Sequence, residues 1–363
     1  MRAGSIKPTR GRVMNAPGEV PADVPAAAEA ERVATSPRLS SIRLRKAVLT
    51  PTTARIAALI AVCVFFSITN QYFLSSSNLL NIVLNTVVVG IVAAPLTLLL
   101  VARQVDLSVG SAVALSAITL AVVVEGGYGL AVGVVAAMAA AMLVALVNAF
   151  AITKLRVNSI VATLGTLAAF RGLAKLEGSG RNIRVDDFDL LGRTRLDILG
   201  IQVPLAVFIL LGILALFWFL MSQTRYGRHM YGMGANPKAA LLAGINLQRN
   251  VVIGFLLTGL TVGLAALIAV SQIGAVAPTT GQGLELLAIT GIILGGASLA
   301  GGRGTIPGTI TAILILAVLD NGLTLSRITS FWQEVFRGSL LVAAVALDQA
   351  RLARGKPDVR FEL

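Results

Sequence analysis

The sequence predicts an all-α, polytopic membrane protein with about ten transmembrane helices, some of them short or broken. Of its 363 residues, 56% are hydrophobic and only 13% are charged, and the mean hydropathy is +0.85. A soluble globular domain carries roughly a quarter charged residues. Apolar segments also follow one another along most of the chain, each bounded by charged residues or by Gly, Pro and Asn. These observations exclude a disordered chain and an ordinary soluble enzyme.

The chain divides into three regions. Residues 1–53 are rich in Ala, Pro, Ser and Arg and have no sustained apolar period, so they are predicted to form a disordered basic cytoplasmic tail. They are not a signal peptide, because the first apolar segment begins too late and is too long. Residues 54–348 form the transmembrane domain. Residues 349–363 are predicted to be a cytoplasmic C-terminal tail.

Ten apolar segments are predicted to be helices, and three of them suggest irregular backbone inside the membrane. Segments five, eight and nine are shorter than the roughly 20 residues that span a bilayer, and Gly, Thr or Pro interrupts them. Either they line a transport path, where irregular backbone is tolerated, or they extend into their polar flanks. In order, the segments are 54–73, 82–102, 108–124, 130–152, 159–174, 203–221, 251–270, 286–300, 305–319 and 331–347.

The basic residues indicate the orientation of the chain. The formal net charge is +13, and nine of the 30 Lys and Arg residues lie in the first 50 positions. Most of the others fall in alternate gaps between the apolar segments, which by the positive-inside rule places both termini in the cytoplasm. Aromatic residues do not interleave with the basic ones, so nucleic acid is not an expected partner. The expected partner is the lipid bilayer.

The longest gap on the predicted inner face, residues 222–250, contains the pattern of a short helix. Asn236 can cap it, Pro237 suits its first position, and Gly244 supplies a left-handed exit. Such a short helix has too little apolar surface to form a domain. It either docks into another protein or lies passively at the membrane interface.

Five ordered blocks of sequence carry a family resemblance. The blocks are Val105-Asp106-Leu107-Ser108-Val109-Gly110-Ser111, residues 160–172, residues 226–246, Gly281-Gln282-Gly283-Leu284-Glu285 and residues 294–305. The chain is similar in them to the permease subunits of sugar-type ABC importers, the ribose transport permease family. Arg103 and Gln104 depart from the Gly-Gly that this family often has before its Asp-Leu-Ser motif, as in permeases resembling those for rhamnose or a furanosyl autoinducer.

The resemblance implies a multi-pass permease in the bacterial inner membrane that imports a monosaccharide, namely a pentose, a deoxyhexose or a related furanose. It implies three protein partners: ABC ATPase subunits, an extracytoplasmic sugar-binding protein and a second permease subunit, identical or paralogous. The chain itself is then not an enzyme and needs no cofactor. Two alternatives are a branched-chain amino-acid ABC permease and an ion-coupled secondary transporter. The residues implied to couple to the ATPase are Gly232, Asn236, Pro237, Lys238, Ala239, Ala240, Gly244 and Ile245.

Polar residues in and between the apolar segments are candidates for the translocation path or gate. Asp106 and Ser108 could cap the helix that follows them, or Asp106 could bias a gate with Arg103 as its ionic partner. Glu285 is expected at the outer mouth. The remaining candidates either bond between helices or line the path for a sugar: Asn85, Thr163, Thr166, Asp320 and Asn321.

A glycine-rich stretch is predicted to serve helix packing or a tight turn. Glycine-rich loops can also bind phosphate, but a nucleotide loop needs Gly-Lys followed by Ser or Thr, and Arg303 is followed here by Gly. A metal site is not predicted, because the chain has one histidine and one cysteine. The glycines are Gly295, Gly296, Gly301, Gly302 and Gly304.

Overall fold

A computed structural model describes residues 51–186, 188–198 and 201–354, which contain twelve helices and four short strands. The prediction of an all-α fold is confirmed. The predicted tails lie outside the described residues, apart from the parts that continue the first and last helices. The helices are α1 (Pro51–Thr69), α2 (Ser76–Val101), α3 (Val109–Glu125), α4 (Leu130–Thr153), α5 (Ser159–Glu177), α6 (Leu205–Gln223), α7 (Arg225–Ala235), α8 (Pro237–Leu242), α9 (Leu247–Ile273), α10 (Leu284–Leu294), α11 (Ile306–Leu325) and α12 (Ser330–Arg354).

Each of the ten predicted apolar segments falls on its own helix. Seven helices of the described chain, α1, α2, α4, α5, α6, α9 and α11, are long and apolar enough to cross a membrane. Two more, α3 and α10, are apolar but shorter. The tenth is α12, which has charged residues along its length. The remaining two helices, α7 and α8, lie in the long polar gap, where the sequence predicts one short helix.

The lengths of three segments correct the sequence prediction. Segments five and nine are not short, because α5 and α11 extend into their polar flanks and reach 19 and 20 residues. Segment eight is interrupted, since α10 has only 11 residues and ends at Leu294. A non-helical turn, residues 295–305, then leads into α11. Of the three predicted interruptions of membrane helices, the structure therefore contains the one in segment eight.

The long helices run back and forth between two ends of the bundle. At one end, Arg55 near the start of α1 donates to the carbonyl oxygen of Gly295 after α10. At the other end, Asn70 after α1 donates to the carbonyl oxygen of Leu325 at the end of α11, 3.2 Å away. The first end also holds α7 and α8 and is called the α7–α8 end. The second is called the hairpin end.

The hairpin end carries the four strands, which the sequence did not predict. Strand β1 (Ile183–Arg184) pairs antiparallel with β4 (Ala275–Val276), and β2 (Arg195–Ile198) pairs antiparallel with β3 (Ile201–Pro204). They are too short to produce a periodic hydrophobic pattern. The β1–β4 pair ties the connection between α5 and α6 to the connection between α9 and α10, whereas β2 and β3 form a hairpin within the first of these connections.

Helices α2 and α9 form the centre of the bundle. The membrane-spanning window of α2 is 78% buried and that of α9 is 67% buried, whereas that of α1 is 6% buried. Because α2 is apolar around its whole circumference, it is suited to a central position. It also contains Pro95, which removes one backbone hydrogen bond from the middle of the helix. These two helices position the residues of the candidate site.

Non-helical backbone enters the bundle between its two ends. Helix α10 is about 16 Å long, or roughly half the thickness of a bilayer core, so it begins near mid-depth. The first turn of α3 lies against this point, where a Cβ atom on Gly110 would collide with the side chain of Glu285 and the carbonyl oxygen of Gly281. Irregular backbone at such depth is tolerated when protein buries it. Residues 103–108 and 277–283 are the two segments concerned.

Candidate transport site

The sequence-predicted path residues fall into three separate places. Three of them line a cavity that opens among α2, α11 and α12: Asn85, Asp320 and Asn321. Four others belong to a buried hydrogen-bond network around the start of α3: Asp106, Ser108, Thr163 and Thr166. Glu285 is in neither group.

The cavity has a volume of about 910 Å³, within the range of roughly 300–1,000 Å³ that is typical of small-molecule sites. Its wall includes the loop and strand residues Arg193, Arg195 and Pro204, so it lies toward the hairpin end. Its polar lining combines amides and charged groups with the apolar side chains of α2 and α11. The cavity can therefore hold a small polar molecule.

The two asparagines of the cavity differ in their bonding. Asn321 and Asn78 exchange two amide hydrogen bonds of 2.8 and 2.9 Å, which join α11 to α2. Asn85 lies two turns deeper along α2, and its side chain makes no hydrogen bond within the described part of the chain. Asn321 is thus engaged in helix packing, whereas the Asn85 amide is available to a solute.

Asp320 is paired with a residue that sequence analysis did not single out. Arg337 of α12 places Nη2 2.8 Å from Oδ2 of Asp320, and its Nε lies 3.1 Å from both carboxylate oxygens. Both side chains line the cavity. The sequence did contain a signal for this partner: Arg337 is the one basic residue in the predicted apolar segment 331–347, which follows Asp320 along the chain.

The buried network fixes the segment that enters the bundle before α3. Oδ1 of Asp106 accepts from the backbone amide of Ser108 at 2.9 Å and from its hydroxyl at 2.6 Å. The Asn148 amide donates to the same Ser108 hydroxyl at 2.7 Å and accepts from Thr166 at 2.7 Å. Thr163 donates to the carbonyl oxygen of its own helix and lies 3.3 Å from that of Val105. These bonds link α3, α4 and α5.

The structure corrects two expectations for this segment. Arg103 is not the ionic partner of Asp106, since its Nε donates to the carbonyl oxygen of Gly234 at 2.6 Å and its Nη2 to that of Ala235 at 3.2 Å. Ser108 occupies the N-cap position of α3, but no side-chain capping bond is formed there. The Asp106 carboxylate instead accepts from the backbone amide of Ser108, two residues later, and so closes an Asx turn.

Substitutions of Asp106 are expected to show whether its hydrogen bonds or its negative charge matter for the stability of the fold. Asp106→Asn keeps an oxygen at the position that receives both Ser108 hydrogen bonds, and it removes a buried negative charge that has no cationic partner among the described residues. Its melting temperature should equal or exceed that of the wild type. Asp106→Ala leaves buried donors unsatisfied and should cost about 1–3 kcal/mol of unfolding free energy. Thermal unfolding of the purified variants measures both, and a destabilised Asn variant would contradict this account.

Glu285 is buried rather than exposed at an outer mouth. The residue is 9% exposed, and its Oε2 has no hydrogen-bond partner in the part of the chain that the structure describes. The nearby Arg171 donates to the carbonyl oxygens of Pro278 and Thr280 at 3.2 and 2.8 Å. These bonds give two backbone carbonyl groups of the irregular segment before α10 a hydrogen-bond donor. Glu285 therefore lies where the non-helical backbone meets the first turn of α3.

Helix α8 has the local structure that the sequence predicts. The Asn236 side chain accepts from the amide of Ala239 at 3.1 Å, Pro237 occupies the first turn, and Gly244 is left-handed with φ 78°. Ala240 lies on the buried side of the helix. Leu242 is 90% exposed and Leu241 is 61% exposed. The helix therefore presents an apolar tip at the α7–α8 end.

A clamp of hydrogen bonds holds α7 to the rest of the bundle. The amide of Gly302 donates to the carbonyl oxygen of Val101 at 2.8 Å, and Arg103 bonds the last carbonyl groups of α7. The Tyr231 hydroxyl donates to the carbonyl oxygen of Gly304 at 2.6 Å. Burial raises the pKa of the Tyr231 phenol, which keeps this hydroxyl protonated. We call this group of contacts the clamp.

The glycine-rich turn provides the backbone for the clamp. Gly301 and Gly302 are left-handed, with φ 80° and 73°, and Gly302 faces the backbone of Ala235. Gly295 packs against Gly308, so closely that a Cβ atom would lie 2.7 Å from backbone atoms. Gly296 and Gly304 also have positive φ. The turn thus combines close helix packing with tight changes of direction.

A family model described as "Branched-chain amino acid transport system / permease component" matches residues 78–345. The chain is 35% identical to the ribose import permease protein RbsC of Bacillus subtilis, over 80% of this chain and 90% of that protein. It is 33% identical to RbsC of Escherichia coli K12, over 82% and 92% of the two chains. It is also 33% identical to the L-arabinose permease AraH of Azospirillum brasilense, over 78% and 84%. No solved structure matches the chain.

The family-model match extends from α2 into α12 and thus includes the cavity, the buried network and the clamp. Relatives that are at least 30% identical over most of both chains are sugar permeases of ABC transport systems. The broader family model places them among permease components. The chain therefore belongs to this permease family and, within it, to the ribose-type permeases of sugar ABC importers.

Proposed function

We propose that the chain is the membrane-spanning subunit of an ATP-driven importer that carries a monosaccharide into the cell. The observation that carries this proposal is the extended similarity to permeases named for ribose, L-arabinose and D-allose. The cavity adds a place for such a molecule, with amides and an ion pair on its wall. The chain forms the path, and separate subunits supply ATP hydrolysis and sugar capture.

Helix α8 is proposed to dock on the ATPase. An exposed apolar tip in an otherwise polar loop is unfavourable in water, so Leu241 and Leu242 are suited to a groove on a partner. The clamp supports this role, since it connects α7 to the end of α2 and to the turn before α11. Movement of the ATPase would then reach the helices that line the cavity.

The α7–α8 end is proposed to face the cytoplasm and the hairpin end the outside. The asymmetric distribution of Lys and Arg supports this orientation. The described chain begins and ends at the α7–α8 end, where Asp348 of α12 accepts from Ser298 at 2.9 Å. The sugar-binding protein would then meet the hairpin end, and a second permease subunit would pack beside this one.

Reconstitution tests the proposed function. Proteoliposomes that contain the chain, the ATPase and the binding protein of the same operon should accumulate D-ribose, L-arabinose or D-allose only when ATP is present. Omission of the ATPase should abolish uptake. If ATP drives uptake of neither these sugars nor any other pentose, hexose or deoxyhexose, the proposed function is wrong.

The description of the family model favours a branched-chain amino acid as a second candidate substrate. The same proteoliposomes distinguish it, because uptake of L-leucine without uptake of any sugar would assign the chain to that group. An ion gradient that drives uptake without ATP would instead favour a secondary transporter. Asp320 already has Arg337 as its cationic partner, so its carboxylate is less suited to coordinating a sodium ion.

Labelling of single cysteines is expected to report the proposed orientation. In a Cys63→Ala background, a membrane-impermeant maleimide should modify Asp189→Cys in intact cells and should leave Lys238→Cys unmodified, because the two exposed positions lie at opposite ends of the bundle. Permeabilised cells provide the control, since both variants should then react. Modification of Lys238→Cys in intact cells would reverse the orientation.

A further inference from the structure

Only one ion pair of the described chain has both of its members on the cavity wall. The Arg181–Glu125 pair lies outside the cavity, and the Arg193–Asp189 pair contributes only its arginine. Asp320 and Arg337 both line the cavity, on neighbouring helices α11 and α12. A charged pair at this location is accessible to whatever enters the cavity.

The Asp320–Arg337 pair retains unused hydrogen-bonding capacity. Its side chains are 23% and 39% exposed, respectively. Arg337 uses Nε and Nη2 for the carboxylate, and a guanidinium has five N–H donors in total. Each carboxylate oxygen can accept further bonds. The pair can therefore accept and donate at once, as the hydroxyl groups of a sugar require.

Other polar groups of the cavity also lack partners. Nε2 of Gln272 is buried and has no hydrogen-bond partner, and the Asn85 side chain makes no hydrogen bond in the described chain. Asn85 lies about 10 Å deeper than Asn78 along α2, and Asn78 bonds Asn321 beside the ion pair. Asn85 thus offers a free polar group between the ion pair and the middle of the bundle, whereas Gln272, next to the last residue of α9, lies at the hairpin end.

We propose that Asp320 and Arg337 form a binding subsite for two adjacent hydroxyl groups of a monosaccharide. The carboxylate accepts from the hydroxyls and the guanidinium donates to them, as charge-assisted hydrogen bonds. Asn85 is the next polar contact toward the centre. This proposal rests on the proposed function and names the residues of the cavity that first hold the sugar.

The competing explanation is that the ion pair only braces α11 against α12. A brace needs only one positive and one negative side chain, and it does not matter which of the two helices carries the negative one. A sugar subsite depends also on where the acceptor and the donor lie relative to Asn85 and Gln272. The exchange variant Asp320→Arg/Arg337→Asp therefore restores a brace and disrupts the subsite.

Protection of a cysteine measures occupation of the cavity. Ala317 lines the cavity one turn before Asp320, so Ala317→Cys in a Cys63→Ala background places a thiol beside the pair. The full chain is purified in nanodiscs, and the rate of maleimide labelling is measured with millimolar D-ribose, L-arabinose or D-allose. At least one sugar should slow labelling. 2-Deoxy-D-ribose should protect less than D-ribose does, because loss of the 2-hydroxyl leaves one adjacent hydroxyl pair where the pyranose form of D-ribose has three.

Variants of the pair then test the assignment. Asp320→Asn and Arg337→Lys should each raise the sugar concentration for half protection by about tenfold, because each removes hydrogen bonds to a charged group. The exchange variant should recover the melting temperature without recovering protection. Glu125→Gln, which breaks an ion pair outside the cavity, should leave protection unchanged.

Full protection in the exchange variant, or in Asp320→Asn, would show that the pair is only a brace and would overturn the proposal. Absence of protection by every sugar would also overturn it. If uptake in proteoliposomes succeeds while protection fails, the subsite is wrong and the importer function stands. If no sugar is taken up, the importer function itself fails.

Discussion

Gly234→Ala is expected to separate α7 from the end of α2 and to abolish uptake. A Cβ atom at this position would collide with the carbonyl oxygen of Val101 and lie 2.6 Å from the amide nitrogen of Gly302. Both are backbone atoms that hydrogen-bond each other, so neither can move aside as a side chain could. The expected loss is about 3 kcal/mol of unfolding free energy, measured as a lower melting temperature.

Gly212→Ala is the matched control for this substitution. Gly212 lies inside α6, and a Cβ atom there would meet no atom within 4 Å. Because alanine favours a helix over glycine by about 0.5–1 kcal/mol, this variant should be as stable as the wild type or slightly more stable. Equal melting temperatures for Gly234→Ala and the wild type would contradict the packing described for the clamp.

Ala240→Pro is expected to uncouple transport from ATP hydrolysis. Proline removes the amide that bonds the carbonyl oxygen of Asn236 at 3.0 Å, and its ring clashes within the short helix. Helix α8 should unfold while the long membrane helices remain inserted. Uptake by proteoliposomes should fall to background, while hydrolysis by the ATPase no longer responds to the loaded binding protein.

The apolar tip of α8 provides a second test that leaves the helix intact. Leu242→Asp should weaken binding of the ATPase in a pull-down, because it places a charge where an apolar contact is proposed. Leu190→Asp is its matched control, since Leu190 is 63% exposed near the hairpin end. Normal uptake in Ala240→Pro, together with normal ATPase binding in Leu242→Asp, would remove α8 from the docking surface.

The sequence predicted the helices better than the contacts between them. Apolar segments determine where helices form in a membrane, and Asn236 and Pro237 carry local capping chemistry that needs no distant partner. The partner of Arg103 was misassigned because proximity in sequence suggested Asp106. Arg103 adopts a left-handed conformation, φ 61°, and its side chain extends to the end of α7.

Two other site residues depend on tertiary structure that local patterns do not contain. Glu285 is buried because the backbone before α10 re-enters the bundle and meets Gly110. Asp320 finds its partner on the next helix, across a loop whose path fixes the relative positions of α11 and α12. In both cases the residue type indicated an unusual polar group, and only the packing of helices identified its neighbours.

Because the clamp holds one end of α2 and the cavity lies further along the same helix, a tilt of α2 at the clamp would move its residues in the cavity. Val101, at the clamped end, is 16 residues from Asn85 in the cavity, which corresponds to about 24 Å along a helix. A tilt of about 5° at the clamp would therefore displace Asn85 by about 2 Å, most of the length of one hydrogen bond. This displacement applies to a helix that tilts as one body; Pro95 lies between the two residues and removes one backbone hydrogen bond, which makes it the point at which α2 bends most easily. A small rotation at one face of the protein can thus be converted into the making or breaking of polar contacts at the other.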